Sequence, residues 1–139
     1  MPPLAMVQIH GDLFSEYCRN CRFKSREGTE HAESVPLCPR CAGVLGPGVV
    51  LFDEEFYEED FARVREFLGR GYCELVVVVG TSLPFKEIVD WVDAVVGPAT
   101  KLIEINPEET ALSTRAHALR ERAAVAVPRL VSGLLGASE

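Results

Sequence analysis

At 139 residues, 47% hydrophobic and 25% charged, the chain fits one globular domain with a fair core and is too ordinary in composition for a disordered or fibrous protein. A net charge of −7, from 14 basic and 21 acidic residues, argues against nucleic acid as the main partner. The longest aliphatic run, Leu75 to Val79, is far short of the ~20 residues a membrane span needs, and Met1-Pro2-Pro3-Leu4 is no basic leader. No membrane partner and a cytoplasmic location are the expectations.

In chain order, Val7 to Phe14 is apolar enough for a short strand ending at His10-Gly11. A lone histidine there reads first as a capping or solvent-facing side chain. Next come Cys18-x2-Cys21, sixteen intervening residues, and Cys38-x2-Cys41. Paired thiolates on two tight turns, Arg19-Asn20 and Pro39-Arg40, can converge on one tetrahedral zinc with Zn–S bonds of about 2.3 Å. Two disulfides or a redox pair are the alternative, which a reducing compartment disfavours. Four cysteines close the tetrahedron and leave no open position, so such a zinc is structural and the chemistry lies elsewhere. Between Cys18 and Cys41, five basic residues exceed three glutamates by two, while a zinc tetrathiolate carries a formal −2, so this ribbon is close to neutral.

Gly43 to Phe52 opens with turn-forming glycines and a proline and ends as a short apolar strand. Six acids follow between Asp53 and Asp60, and Phe61, Val64, Phe67 and Leu68 at helical spacing make the later acids a helix start, stopped by Gly69 and Gly71. Leu75 to Val79 lacks alternation, as expected of a parallel strand covered on both faces. A helix from Phe85 to Val96 and a strand from Lys101 to Ile105 complete a βαβ unit. A last helix, Pro128 to Leu135, is expected on one sheet face. Ligands of open α/β sheets bind beyond the carboxyl ends of the strands, where Gly80-Thr81-Ser82 and Asn106 fall. Cys73, outside the quartet, reads as a buried structural thiol.

His10-Gly11, the four-cysteine ribbon, Pro47 to Phe52, Gly80-Thr81-Ser82-Leu83 and Ile105-Asn106 occur in the order and at about the spacings of sirtuins, the NAD-dependent protein lysine deacylases. The resemblance spans nearly the whole chain. It implies an enzyme that transfers the acyl group of an acyl-lysine protein or peptide to ADP-ribose with release of nicotinamide, using NAD as co-substrate. It makes His10 the catalytic base on the NAD ribose hydroxyl, a role an imidazole suits. It puts Val50 and Phe52 in the acyl-lysine tunnel, with the peptide adding as a strand between the segment after Phe52 and the segment after Leu83. Gly80, Thr81, Ser82 and Asn106 become contacts to the adenosine ribose.

The implied fold is α/β, part of a Rossmann-like parallel sheet formed by residues 1–17 and 42–139, with an inserted four-cysteine zinc ribbon at 18–41. The chain departs from the family in three places. Phe52-Asp53-Glu54 stands where Phe-Gly-Glu is usual, and Glu121 stands where a glycine is frequent near the adenine. The family's amino-terminal half, with its Gly-Ala-Gly phosphate-binding turn and Gln-Asn-Ile-Asp motif, has no counterpart in these residues. The isolated chain is therefore expected to be incomplete as an enzyme, completed by a companion chain or by self-association. The alternative is a non-catalytic zinc-ribbon and nucleotide-binding half-domain serving as a subunit or protein-binding module.

Overall fold

The computed structural model describes residues 6–25, 35–51, 54–82 and 86–136. The chain divides into two compact units, Met1–Phe67 and Leu68–Glu139.

The first unit is built on an antiparallel sheet of three strands in the order β2-β1-β3, with β1 at Gly11–Cys18, β2 at Lys24–Ser25 and β3 at Leu45–Val49. The strand expected to end at His10-Gly11 begins there instead. The Gly11 N–H donates to the Gln8 carbonyl at 2.8 Å, closing a turn, and Gly11 takes the left-handed φ of +79°. A Cβ at Gly11 would lie 1.9 Å from the Gly48 carbonyl oxygen, so the close approach of β3 also demands glycine. Just beyond, Asp12 Oδ1 accepts the Phe14 N–H and the Asp12 carbonyl accepts the Ser15 hydroxyl, both at 2.9 Å. These local bonds compete with the ladder and bulge β1 between Asp12 and Glu16. Gly46-Pro47-Gly48, a turn by composition, lies inside β3, where an edge position tolerates the proline. Helix α1, Glu58–Leu68, starts on three acids as expected. The buried core of this unit is small, comprising Cys18, Cys38 and Leu45 with Cys21 and Phe23 against them.

The second unit is a parallel sheet in the order β4-β5-β6, with β4 at Leu75–Val79, β5 at Lys101–Ile105 and β6 at His117–Leu119. Helix α2, Lys86–Val95, joins β4 to β5 and completes the expected βαβ unit. β6 has only three residues, too few to show a period in sequence. Val92, Leu102 and Leu112 form the core, with Val76, Val78, Ile88 and Val89 packed on it. On the opposite face Val77 and Val79 remain 36% and 39% exposed, so the run expected to be covered on both faces is covered on one. Helix α3, Ala123–Gly136, begins five residues before Pro128, which lies inside it on an exposed side. The carbonyl that Pro128 leaves unpaired, at exposed Ala124, can face water. Ala126 is buried, whereas Val125, Val131, Leu134 and Leu135 are 45–70% exposed. Among the described residues no helix is long and apolar enough to cross a membrane.

Gly11→Ala is expected to destabilise the first unit by at least about 2 kcal/mol, from backbone strain and overlap with Gly48. Denaturant unfolding of the variant beside the wild type measures this, and equal midpoints would show that the turn relaxes freely.

Candidate functional site

The two cysteine pairs sit on matching turns. In each, the residue after the second cysteine donates its N–H to the carbonyl of the first, Arg22 to Cys18 and Ala42 to Cys38, both at 2.8 Å. In each, the first cysteine's own N–H reaches the carbonyl five residues on, Cys18 to Phe23 and Cys38 to Gly43. Arg22 and Ala42 both adopt a left-handed backbone, at φ of 61° and 57°, which non-glycine residues avoid. The Arg40 N–H points at Cys38 Sγ at 3.4 Å.

The turns bring all four sulfurs within 4.8 Å of one another. Cys18–Cys41 and Cys21–Cys38 sulfur separations are 3.5 Å, far beyond a disulfide bond and near the ~3.8 Å edge of a tetrahedron with 2.3 Å metal–sulfur bonds. The donor set fits zinc and leaves no coordination position for a substrate. The N–H groups of Cys21 and Asn20 pull the Cys18 thiol down to about 7. Despite the Phe23 N–H, burial and the neighbouring sulfurs push the Cys21 thiol up to about 12. Four thiolates this close need a cation to coexist.

At the other end of β1, His10 is exposed on its turn and its ring meets Phe56 edge-on at 5.6 Å. The His10 carbonyl accepts the Val50 N–H at 2.9 Å, so the backbone brings those two expected site residues together. Phe52 and Leu83 lie outside the described residues. Arg19, inside the first knuckle, holds Glu54 through Nε at 2.5 Å and Nη2 at 2.9 Å, and Glu54 in turn accepts the Leu51 N–H at 2.9 Å. Arg19 and that N–H draw the Glu54 carboxyl down to about 2. A cleft of about 550 Å³ lies beside this pair, lined by Tyr17, Arg19, Lys24, Glu54 and Tyr57 among others. Two of its three cations face acids, Arg19 with Glu54 and Lys24 with Asp60.

In the second unit, the Gly80 N–H donates to the Ile105 carbonyl at 2.9 Å, and Gly80 has a φ of +64° that turns the chain away from β4. Asn106 Nδ2 donates to the Thr81 carbonyl at 2.7 Å, while Asn106 Oδ1 accepts the Glu108 N–H at 3.1 Å. Gly80, Thr81 and Asn106 therefore meet at neighbouring strand ends, with Ser82 exposed next to them.

Sequence reasoning missed what lies beneath. Glu104, 1% exposed, accepts the Thr110 hydroxyl, the Ser113 hydroxyl at 2.8 Å and Arg120 Nη1 at 2.9 Å. Arg120 Nη1 also donates to the Asn106 and Glu108 carbonyls, at 3.2 and 2.9 Å. The available signal was a carboxylate between Ile103 and Ile105 in an apolar strand, which must find a partner if buried.

These features define a class: a parallel α/β unit joined in sequence to a four-cysteine ribbon. Residues 3–86 match the Sir2 family model, and the chain belongs to the Sir2 family. It is 36% identical over 134 residues to NAD-dependent protein deacylase 2 of Pseudomonas aeruginosa, covering 94% of this chain and 52% of that protein. It is 36% identical over 136 residues to the NAD-dependent protein deacylase Sir2 of Mycolicibacterium smegmatis, covering 93% and 55%. Among solved structures, a Sir2 homologue in complex with NAD superposes with a TM-score of 0.77 at 28% identity, over 94% of this chain and 51% of that one. The chain spans about half the length of the relatives it matches. With them, its parallel strands are part of a Rossmann-like sheet.

One equivalent of zinc per chain is expected in reduced protein by elemental analysis. Since metal binding of ~10–16 kcal/mol is folding energy for so small a core, chelation should expose the amides of β1–β3 to hydrogen exchange and spare β4–β6. Absence of stoichiometric zinc would remove the metal centre.

A pH dependence follows from Glu104. Burial pushes its carboxyl up, but the bonds from Thr110, Ser113 and Arg120 outweigh this and hold it below the ordinary 4.5. A depressed folded value gives stability that is present above pH 4.5 and lost as pH falls through the folded value. Glu104→Gln should be about 2 kcal/mol less stable than wild type at pH 7, with the gap narrowing below pH 4.5. A gap independent of pH in thermal unfolding would contradict this.

Proposed function

We propose that the chain is the zinc-ribbon and adenosine-binding part of an NAD-dependent protein lysine deacylase, moving an acyl group from acyl-lysine to ADP-ribose with release of nicotinamide. The observation that carries the reading is the junction of Thr81 and Asn106 at the carboxyl ends of adjacent parallel strands, where such sheets bind nucleotides. The deacylase names of relatives matched over nearly all of this chain support it. Residues 18–41 act as the ribbon module, and residues 1–17 with 42–139 as the partial NAD-binding domain. Four cysteines gathered at metal-ligand spacing rather than joined as disulfides suit a reducing compartment and hence the cytoplasm.

When bound, NAD supplies an electrophilic ribose carbon with nicotinamide as its leaving group. Gly80, Thr81, Ser82 and Asn106 hold the adenosine ribose. Val50, pinned to the His10 carbonyl, and Phe52 guide the acyl-lysine, whose peptide adds as a strand with little side-chain readout. Once the acyl oxygen has displaced nicotinamide, His10 takes the ribose hydroxyl proton as general base.

No segment of the sequence can form the phosphate-cradling turn of a dinucleotide site. The outer edge of β4 and the open faces of Val77, Val79 and α3 suit a companion segment that carries that turn, on the same polypeptide or on a second chain. The same open edge favours a second reading, a non-catalytic half-domain acting as a subunit.

In the assembled enzyme, His10→Ala is expected to lower kcat by roughly 10²- to 10⁴-fold with little change in KM for NAD. Near-normal turnover would make His10 structural. Residues 1–139 alone should self-associate and give no NAD-dependent deacetylation of an acetyl-lysine peptide. Light scattering showing a monomer, together with ordinary turnover, would make the companion unnecessary, whereas inactivity with the companion present would favour the half-domain.

A further inference from the structure

Asn106 spends its side chain inside the protein. Its amide nitrogen ties down Thr81, its amide oxygen takes the Glu108 N–H, and only 9% of the residue is exposed. The shape of the strand-end junction therefore depends on what fixes Asn106 and the chain just beyond it. Arg120, which follows β6, reaches back to the Asn106 and Glu108 carbonyls. Through it, three strand ends share one fastening: β4 by way of Thr81, β5 at Asn106, and β6 at Arg120.

A guanidinium aimed at two carbonyls needs an anion to hold it, and the anion present is Glu104, buried on β5 two residues before Asn106. Glu104 also takes the hydroxyls of Thr110 and Ser113, and the Ser113 hydroxyl oxygen accepts the Thr110 N–H at 2.7 Å. The loop between β5 and β6 is thus folded around this carboxylate. A buried carboxylate with three donors, one of them cationic, is rigid because each lost bond leaves a desolvated group unpaired.

We propose that Glu104 is a positioning residue for the nucleotide site, acting through Arg120 to hold Asn106 and Thr81 in the arrangement that receives the adenosine ribose. This rests on the NAD reading above. Preorganisation of this kind appears in ligand affinity, because a loosened junction must be ordered again at each binding event. Glu104→Gln keeps the shape and part of the hydrogen bonding while removing the charge that holds Arg120.

The test is an NMR titration of the full chain with ADP-ribose, following the amides of Gly80, Thr81 and Ser82. Val92→Ala is the control, since it thins the core beneath α2 while removing none of the hydrogen bonds that hold the junction. Glu104→Gln should weaken ADP-ribose binding about tenfold and, before any ligand is added, shift the Asn106 side-chain amide signals. Val92→Ala should bind within about twofold of wild type at a comparable loss of stability. If Glu104→Gln does not fold, Arg120→Lys decides: it keeps the cation but not the fork, and should weaken binding likewise. Wild-type affinity in Glu104→Gln, or an equal loss in Val92→Ala, would overturn the proposal while leaving the NAD reading intact. A wild-type chain that shows no shift with ADP-ribose would remove the NAD reading and this inference together.

Discussion

The first unit depends on four sulfur atoms. Its apolar core is Cys18, Cys38 and Leu45 with Cys21 and Phe23 partly buried against them, too little apolar surface to hold three short strands together. Both knuckles carry a non-glycine residue in the left-handed region, a conformation that persists only where its surroundings enforce it. Without a cation, four sulfurs within 4.8 Å of one another cannot all carry charge. A bound metal turns that mutual repulsion into the attraction on which the strands hang.

The second unit rests on ordinary packing, with the ion pair of buried Glu104 and half-buried Arg120 at the carboxyl ends of its strands. Val92, Leu102 and Leu112 hold α2 on the sheet. At the carboxyl ends, polar bonds take over from apolar contacts, which suits a place where backbone must stay accessible to a ligand. Among the described residues, apolar surface is left exposed on β4 at Val77 and Val79 and on α3 at Val125 and Val131.

The sequence made legible those features with a short repeat or a long uniform run. Cys-x2-Cys spacing predicts convergence of the sulfurs, and the run at Leu75–Val79 with the helix behind it predicts the parallel pair. The turn at Gln8–Gly11 was hidden because its cause is a contact with Gly48, thirty-seven residues further on. β3 was disguised by a proline and two glycines, which mark turns unless the strand lies at an edge. β6 and the Glu104–Arg120 pair were out of reach for a similar reason, since their partners are chosen by sheet order rather than by neighbouring residues. His10, Val50 and Phe52 gain meaning from family resemblance, as no local pattern singles them out.

β1 has the histidine turn at its start and Cys18 of the sulfur cluster as its last residue, eight residues after His10. At about 3.3 Å per residue these span roughly 26 Å, somewhat less through the bulge. The strand is thus a ruler between the histidine turn and the sulfur cluster, graduated in single residues and anchored at each end by a turn. An insertion or deletion within it would change both the reach to the histidine and the side of the sheet that each side chain faces. Loops elsewhere can drift in length, but this interval is a gauge that the chain has no freedom to reset.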